Sequence, residues 1–170
     1  MRDKVLTRPD LALALDARRQ RGERIVFTNG CFDLLHIGHA RYLTQARALG
    51  DALVVGLNSD ASVRVLKGPS RPIVPEDERA EMLAHLECVS FVSIFDEPRP
   101  DDLIALVRPA IHVKGGDYRA GELPEARVVR QHGGRVVIMP LVEGKSTTAV
   151  IARILDVIER EADSSGIRGD

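Results

Sequence analysis

Apolar positions along this 170-residue chain fall into two patterns that alternate. Short runs such as Ile25-Val26-Phe27 are too short for helices and rich in side chains that favour strands. Ala52-Leu53-Val54-Val55-Gly56-Leu57 has no polar interruption, as expected of a strand buried on both faces of a parallel sheet. Between the runs, apolar residues recur at helical spacing: Leu11, Leu13, Ala14 and Ala17, then Tyr42, Leu43, Ala46 and Leu49, then Ala80, Leu83, Ala84 and Leu86. Further strands are expected at 89–95, 111–113 and 135–139, and further helices at 101–107, 123–131 and 149–160. Strand and helix alternate about five times, which predicts a single-domain α/β fold with a mostly parallel sheet of about five strands.

Local punctuation supports these boundaries. Thr7-Arg8-Pro9-Asp10 supplies a cap, an early proline and an acidic first turn to a helix that ends before Gly22. Residues 1–23 are therefore read as an N-terminal helical extension, 24–162 as the domain proper and 163–170 as a disordered tail. Residues 67–75 hold three prolines and a glycine, exclude regular structure and read as a basic flap.

The candidate chemistry gathers where strands give way to helices. Asn29-Gly30 ends the first strand, and His36 and His39 follow one turn apart where a helix begins. A helix N-terminus presents free backbone N–H groups and the positive end of the dipole, so it favours phosphate. Two imidazoles can add donors there, and Gly30 and Gly38 carry no Cβ to hold a ligand off the backbone. His-x-x-His is also compatible with a partial metal site or a plain polar helix end. Asn58 and Asp60 follow the second strand, either as ligand contacts or as helix caps. Arg79 near the start of a helix opposes the dipole, which points to an anionic partner or to a salt bridge. Lys114, Gly115 and Asp117 end another strand and suit phosphate, sugar hydroxyl or base, or a merely charged turn. Ser146, Thr147 and Thr148 open the last helix and can bind phosphate through hydroxyls and backbone N–H, or simply cap it. Gly144-Lys145-Ser146 is not a P-loop, because Met139 stands where the motif needs glycine.

Composition narrows the classes. A formal net charge of −1 supplies no general field for nucleic acid or an anionic membrane, and 4% aromatic residues without Trp supply no base-stacking platform. Cys31 and Cys88 lack metal or redox spacing. With no signal-like N-terminus and no apolar run near 18 residues, the chain is expected to be cytoplasmic.

The run Phe27-Thr28-Asn29-Gly30-Cys31-Phe32-Asp33-Leu34-Leu35-His36-Ile37-Gly38-His39 resembles the signature of the nucleotidyltransferase superfamily that includes the cytidylyltransferases. The resemblance extends over about residues 24–155 and implies a Rossmann-like fold in which the His-x-Gly-His pair holds nucleotide phosphates. It implies catalytic roles for His36, His39, Lys67 and Arg79. Nucleotide contacts are implied for Thr28, Asn29, Gly30, Gly38, Lys114, Gly115, Ser146, Thr147 and Thr148. Asp33, Asn58, Asp60 and Asp117 are the candidates for sugar or base. Together with Asn58-Ser59-Asp60-Ala61-Ser62 and Val113-Lys114-Gly115-Gly116-Asp117-Tyr118, the motifs are most similar to the adenylyltransferases of D-glycero-D-manno-heptose 1-phosphate, in a form without a fused kinase. That similarity implies ATP and a sugar 1-phosphate as substrates, magnesium arriving as Mg-ATP with no metal held directly by side chains, and a homodimer. A glycerol-3-phosphate cytidylyltransferase would share the phosphate contacts, and a nucleotide-sensing domain would bind ATP without releasing pyrophosphate.

Overall fold

The computed structural model describes residues 2–116, 123–140, 142 and 144–164. Asp117 lies outside them. Five parallel strands form one sheet: β1 (Ile25–Gly30), β2 (Ala52–Asn58), β3 (Phe91–Phe95), β4 (Ile111–Gly115) and β5 (Arg135–Met139), in the order β3-β2-β1-β4-β5. A 3-10 turn at Arg2–Lys4 and seven α-helices complete the described architecture: α1 (Arg8–Gln20), α2 (Ile37–Arg47), α3 (Asp60–Lys67), α4 (Glu76–His85), α5 (Asp101–Val107), α6 (Ala126–Gln131) and α7 (Thr147–Ser164).

Strand order reverses between β1 and β4, and in such sheets the crevice outside the carboxyl ends at that point takes ligands. The two strands pair only at Val26 with Ile111 and Phe27 with His112, whereas β1 pairs with β2 along its whole length. Beyond Phe27 the β1–β4 seam is closed by a side chain. Tyr42 of α2 donates its hydroxyl to the Val113 carbonyl at 3.0 Å and lies 2.7 Å from Thr28 Oγ1. Burial pushes the Tyr42 phenol up to about 12, so it stays protonated and able to donate.

Two apolar layers flank the sheet. On one face Val26, Leu53, Val55 and Leu57 pack with Leu43 and Ala46 of α2 and Ala80, Leu83 and Ala84 of α4. On the other, Ile25, Phe27 and Val54 pack with Leu103, Ile104 and Val107 of α5, Val129 of α6, and Leu11 and Leu15 of α1. Alternation along β1 sends odd positions to the α5 and α6 side and even ones to the α2 side. Leu11 and Leu15 are fully buried, so α1 contributes side chains to the core. Leu15→Ala is expected to cost about 2–5 kcal/mol, as other large truncations in packed cores do.

Helix ends depart from expectation by a few residues. Ser59, not Asn58 or Asp60, caps α3, its hydroxyl accepting from Ser62 N at 3.1 Å. Lys67 is the last residue of α3, and the irregular segment starts at Gly68 with φ 96°. α7 begins at Thr147, with the Ser146 hydroxyl accepting from Ala149 N at 3.1 Å, and runs to Ser164. No described helix is long and apolar enough to cross a membrane.

Candidate active site

At the carboxyl edge of β1 the chain leaves the sheet through Cys31, Phe32 and Asp33 and turns into α2. Phe32 holds a left-handed φ of 44° although it carries a side chain, a conformation that persists only where surrounding contacts impose it. The twist swings its buried ring against His39, at 5.2 Å between centroids. His36 occupies the N-cap position of α2, and its ring stacks on His39 with centroids 3.9 Å apart and planes at 22°. Gly38 makes this possible: a Cβ there would meet the His36 ring at 2.9 Å and Lys145 Cβ at 3.1 Å.

Electrostatics keep the pair neutral at pH 7. Burial, then the neighbouring His36, bring His39 down to about 4, with the Leu34 backbone acting in the opposite direction. Burial, then Lys145, hold His36 below its ordinary value. Neutral imidazoles offer one N–H each and do not repel the neighbouring Lys145.

Two adjoining cavities share this edge. The inner one, about 270 Å³, is lined by His36, Gly38, His39 and Tyr42 on the α2 side and by Lys145, Ser146 and Thr147 at the start of α7. The outer one, about 640 Å³, adds Asp33, Asn58, Lys67, Arg71, Arg99, Glu125 and Thr148. Asn29, Gly30, His39, Lys114, Gly115, Ser146 and Thr147 face both. The N-termini of α2 and α7 thus open on one space, and Thr147 Oγ1 ties them together by donating to Leu34 O at 3.4 Å. Most residues expected from the sequence are brought together here.

Four lie differently. Thr28 is fully buried and spent on Tyr42. Arg79 is 1% exposed and lines neither cavity. Its guanidinium donates to Val74 O at 2.8 Å, Cys31 O at 2.5 Å, Asn58 O at 2.9 Å and Asp60 Oδ1 at 2.7 Å. It pins the β1 loop, the end of β2, the start of α3 and the proline-rich segment together beneath the site. Asp60 is accordingly held by Arg79, and by its own N–H to Glu76 at 2.5 Å, away from the cavity. Of the two explanations for a cation at a helix start, this arrangement supplies the salt bridge.

Asp33, though at the cavity wall, is committed to the protein. Its buried carboxylate accepts from Arg71 Nε at 2.5 Å, Ile73 N at 2.8 Å and Val74 N at 3.0 Å. Burial would raise its pKa, but the Val74 N–H, Arg71 and the Ile73 N–H outweigh that and hold it below the ordinary carboxylate value. The segment 68–75 is therefore anchored along its second half rather than hinged as a free flap. Lys67, by contrast, has no ion-pair partner among the described residues.

Sequence reasoning missed His112, Glu125, Arg99 and Lys145. The local signals were a lone histidine in an apolar strand, a glutamate near a helix start and the Gly144-Lys145-Ser146 run that fails as a P-loop, and none points to a site without its neighbours. Among the described residues, no group of three or more His, Cys, Asp or Glu is placed to hold a metal ion.

The family model described as cytidylyltransferase-like matches residues 27–160, which makes the chain a nucleotidyltransferase. The chain belongs to that family. Among individual proteins, the bifunctional protein HldE of Syntrophotalea carbinolica is 54% identical over 157 residues, 92% of this chain and 32% of its own length. HldE of Pseudomonas fluorescens is 51% identical over 150 residues, 88% of this chain and again 32% of its own. This chain therefore spans only a third of the curated relatives it matches. Among solved structures, the lipopolysaccharide core biosynthesis protein of Thermoplasma volcanium aligns with TM-score 0.60 and 29% identity, covering 71% of this chain and 98% of its own. A pantoate-β-alanine ligase from Francisella tularensis, at TM-score 0.54 and 10% identity, shares the fold.

Proposed function

We propose that this chain transfers AMP from ATP to D-glycero-D-manno-heptose 1-phosphate, releasing pyrophosphate and forming ADP-heptose for glycan biosynthesis. The observation that carries a nucleotidyl-transfer reading is the convergence of two helix N-termini, one bearing stacked neutral histidines, on one cavity at the strand-order reversal. An oxygen of the sugar phosphate attacks the α-phosphorus in line, forming a new P–O bond. The α–β bridging bond breaks, and pyrophosphate leaves with its electron pair. Positioning and charge stabilisation suffice for such a step, with no enzyme nucleophile. His36, His39, Ser146 and Thr147 hold the triphosphate, and Lys67 and Lys114 offset phosphate charge. Asn58 is buried and donates its amide to Ser62 Oγ at 2.9 Å, which leaves its Oδ1 for sugar or base. Arg79 acts from beneath, through the carbonyls it orders. Magnesium brought as Mg-ATP would supply further charge neutralisation, with none of this chain's side chains assigned to hold it.

The choice of acceptor is supported by the motif resemblance and by the lipopolysaccharide-core protein among the similar structures. Pyrophosphate release across ATP, CTP and GTP with heptose 1-phosphate and glycerol 3-phosphate tests it. ATP with heptose 1-phosphate is expected to be the fast pair. A faster CTP and glycerol 3-phosphate pair replaces it with a cytidylyltransferase reading, and ATP binding without pyrophosphate release removes the enzyme.

As partner we propose a second copy, packed through α7, in the cytoplasm where ATP is available. No α7 residue is buried, and Ile154, Leu155, Val157 and Ile158 are each about half exposed on one stripe. Arg153 and Arg160 flank that stripe on one edge and Glu159 on the other, so two parallel α7 helices can set the basic edge of one against the acidic edge of its mate. Light scattering should give twice 18.6 kDa, reduced to one chain by Ile154→Asp with Ile158→Asp. A monomeric wild type refutes this.

A further inference from the structure

We infer that His112, on β4, is a positioning residue that locks the side-chain amide of Asn29 with its nitrogen turned into the cavity. Asn29 Oδ1 lies 3.2 Å from Lys114 Nζ and 3.2 Å from His112 Nε2. An ammonium only donates, so the amide atom that meets Lys114 has to be the carbonyl oxygen, whatever the ambiguity of amide orientations in general. The same oxygen faces His112, so Nε2 carries a proton and Nδ1 does not. Two donors fill the oxygen's lone pairs, and the Asn29 NH2 group is left for a ligand. Asn29 lines both cavities.

The sheet explains why these groups meet. Phe27 pairs with His112 across β1 and β4, so Asn29 and Lys114, each two residues further on, emerge on the same face. His112 is fully buried, its ring 5.3 Å from that of Phe27, and its Nδ1 has no partner. A bare ring nitrogen in apolar surroundings fits the neutral tautomer deduced from Asn29. The charged groups facing it are Lys114 and Glu125; burial first, then Lys114, bring it down to about 4 against the opposing pull of Glu125. Glu125, itself 6% exposed, holds Lys114 at 3.0 Å from the far side.

Lys114 already orients Asn29 in the free protein, so His112 looks redundant until a phosphate enters. The arriving anion competes with Asn29 and Glu125 for the ammonium. Once Lys114 moves to it, His112 alone keeps the Asn29 oxygen turned inward and its NH2 aimed at phosphate. Without His112 the amide can rotate and present a repelling oxygen. The role given to Asn29 rests on the proposed phosphate chemistry, while the clamp does not.

The test has two arms on the whole chain. In the first, the imidazole nitrogen shifts of 15N-labelled protein should show one histidine, lost in His112→Leu, as the neutral Nε2–H tautomer from pH 5 to 8. A Nδ1–H tautomer or an imidazolium in that range overturns the clamp. The second arm measures His112→Leu and His112→Gln with whichever nucleotide and acceptor the wild type turns over. The Leu variant should lose about fivefold to tenfold in kcat, the effect of one neutral orienting hydrogen bond, with a smaller change in KM for Mg-ATP. The Gln variant, which keeps a donor, should recover most of the loss. A folded Leu variant with wild-type kcat, or a Gln variant no better than Leu, refutes the positioning role. If the Leu variant does not fold, the tautomer and the Gln variant decide. Failure of the heptose reading alone changes the acceptor used and leaves both arms in force.

Discussion

Replacing Asp33 with alanine removes the post to which segment 68–75 is tied, and the cost can be worked from its three contacts. The Ile73 and Val74 N–H groups lose acceptors at 2.8 and 3.0 Å, and Arg71, with an 18% exposed side chain, loses its counter-ion. Breaking one side of a buried ion pair typically costs about 3–5 kcal/mol, and each orphaned buried donor about 1–3 kcal/mol. Water reaching the loosened segment will satisfy part of this, so about 3–5 kcal/mol for Asp33→Ala is the working figure. Asp33→Asn keeps an acceptor for the two backbone donors but sets an NH2 group against Arg71, and should fall about midway. Urea unfolding at pH 7 measures both. The native Asp33 pKa is depressed, so this stabilisation is present above the unfolded carboxylate value, about 3.9, and lost as pH falls through the native one. If Asp33→Ala unfolds within 0.5 kcal/mol of wild type, a margin typical of neutral surface changes, then the carboxylate is not an anchor and its role as a sugar contact is open again.

The same structure sets further expectations. His39→Ala should lower turnover by about 10²–10³, the loss of one charge-stabilising donor, with the fold intact; unchanged turnover would remove the histidine pair from the mechanism. Stability should fall by about 2 kcal/mol between pH 7 and 5 from His112 alone. Its native value, about 4, lies below the unfolded 6.5, so the unfolded chain takes up the proton first and stability is lost as pH falls across that window. His39 adds a smaller share because it is less deeply buried than His112, and His112→Leu should flatten the slope; a wild type equally stable at both pH values refutes the neutral buried histidine. Lys67, at the end of α3 and facing the outer cavity, should be shielded from amine-modifying reagents by saturating Mg-ATP, and equal labelling with and without nucleotide would take it out of the phosphate site.

Much was legible from the chain alone. Period-2 and period-3.6 patterns are local, and they reproduced the strand and helix order, including α5 at Asp101–Val107 and β5 at Arg135–Met139. The histidine motif and Ser146-Thr147-Thr148 were legible for a related reason: a helix N-terminus is a local feature, and its unpaired N–H groups bind anions wherever it is placed. Only the tertiary structure decided what the charged side chains do. Arg79 and Asp33 have the composition of ligand contacts, yet their partners are backbone groups and the side chains of Asp60 and Arg71, 5 to 48 residues away in sequence and placed by strand order rather than by spacing. His112 shows the converse: silent in an apolar strand, it gains meaning because β4 lies beside β1 and brings it, with Lys114, onto one oxygen of Asn29. A buried polar group takes whatever partner the fold supplies, because leaving it unpaired costs more than any local preference is worth, and the identity of that partner is a property of the folded sheet.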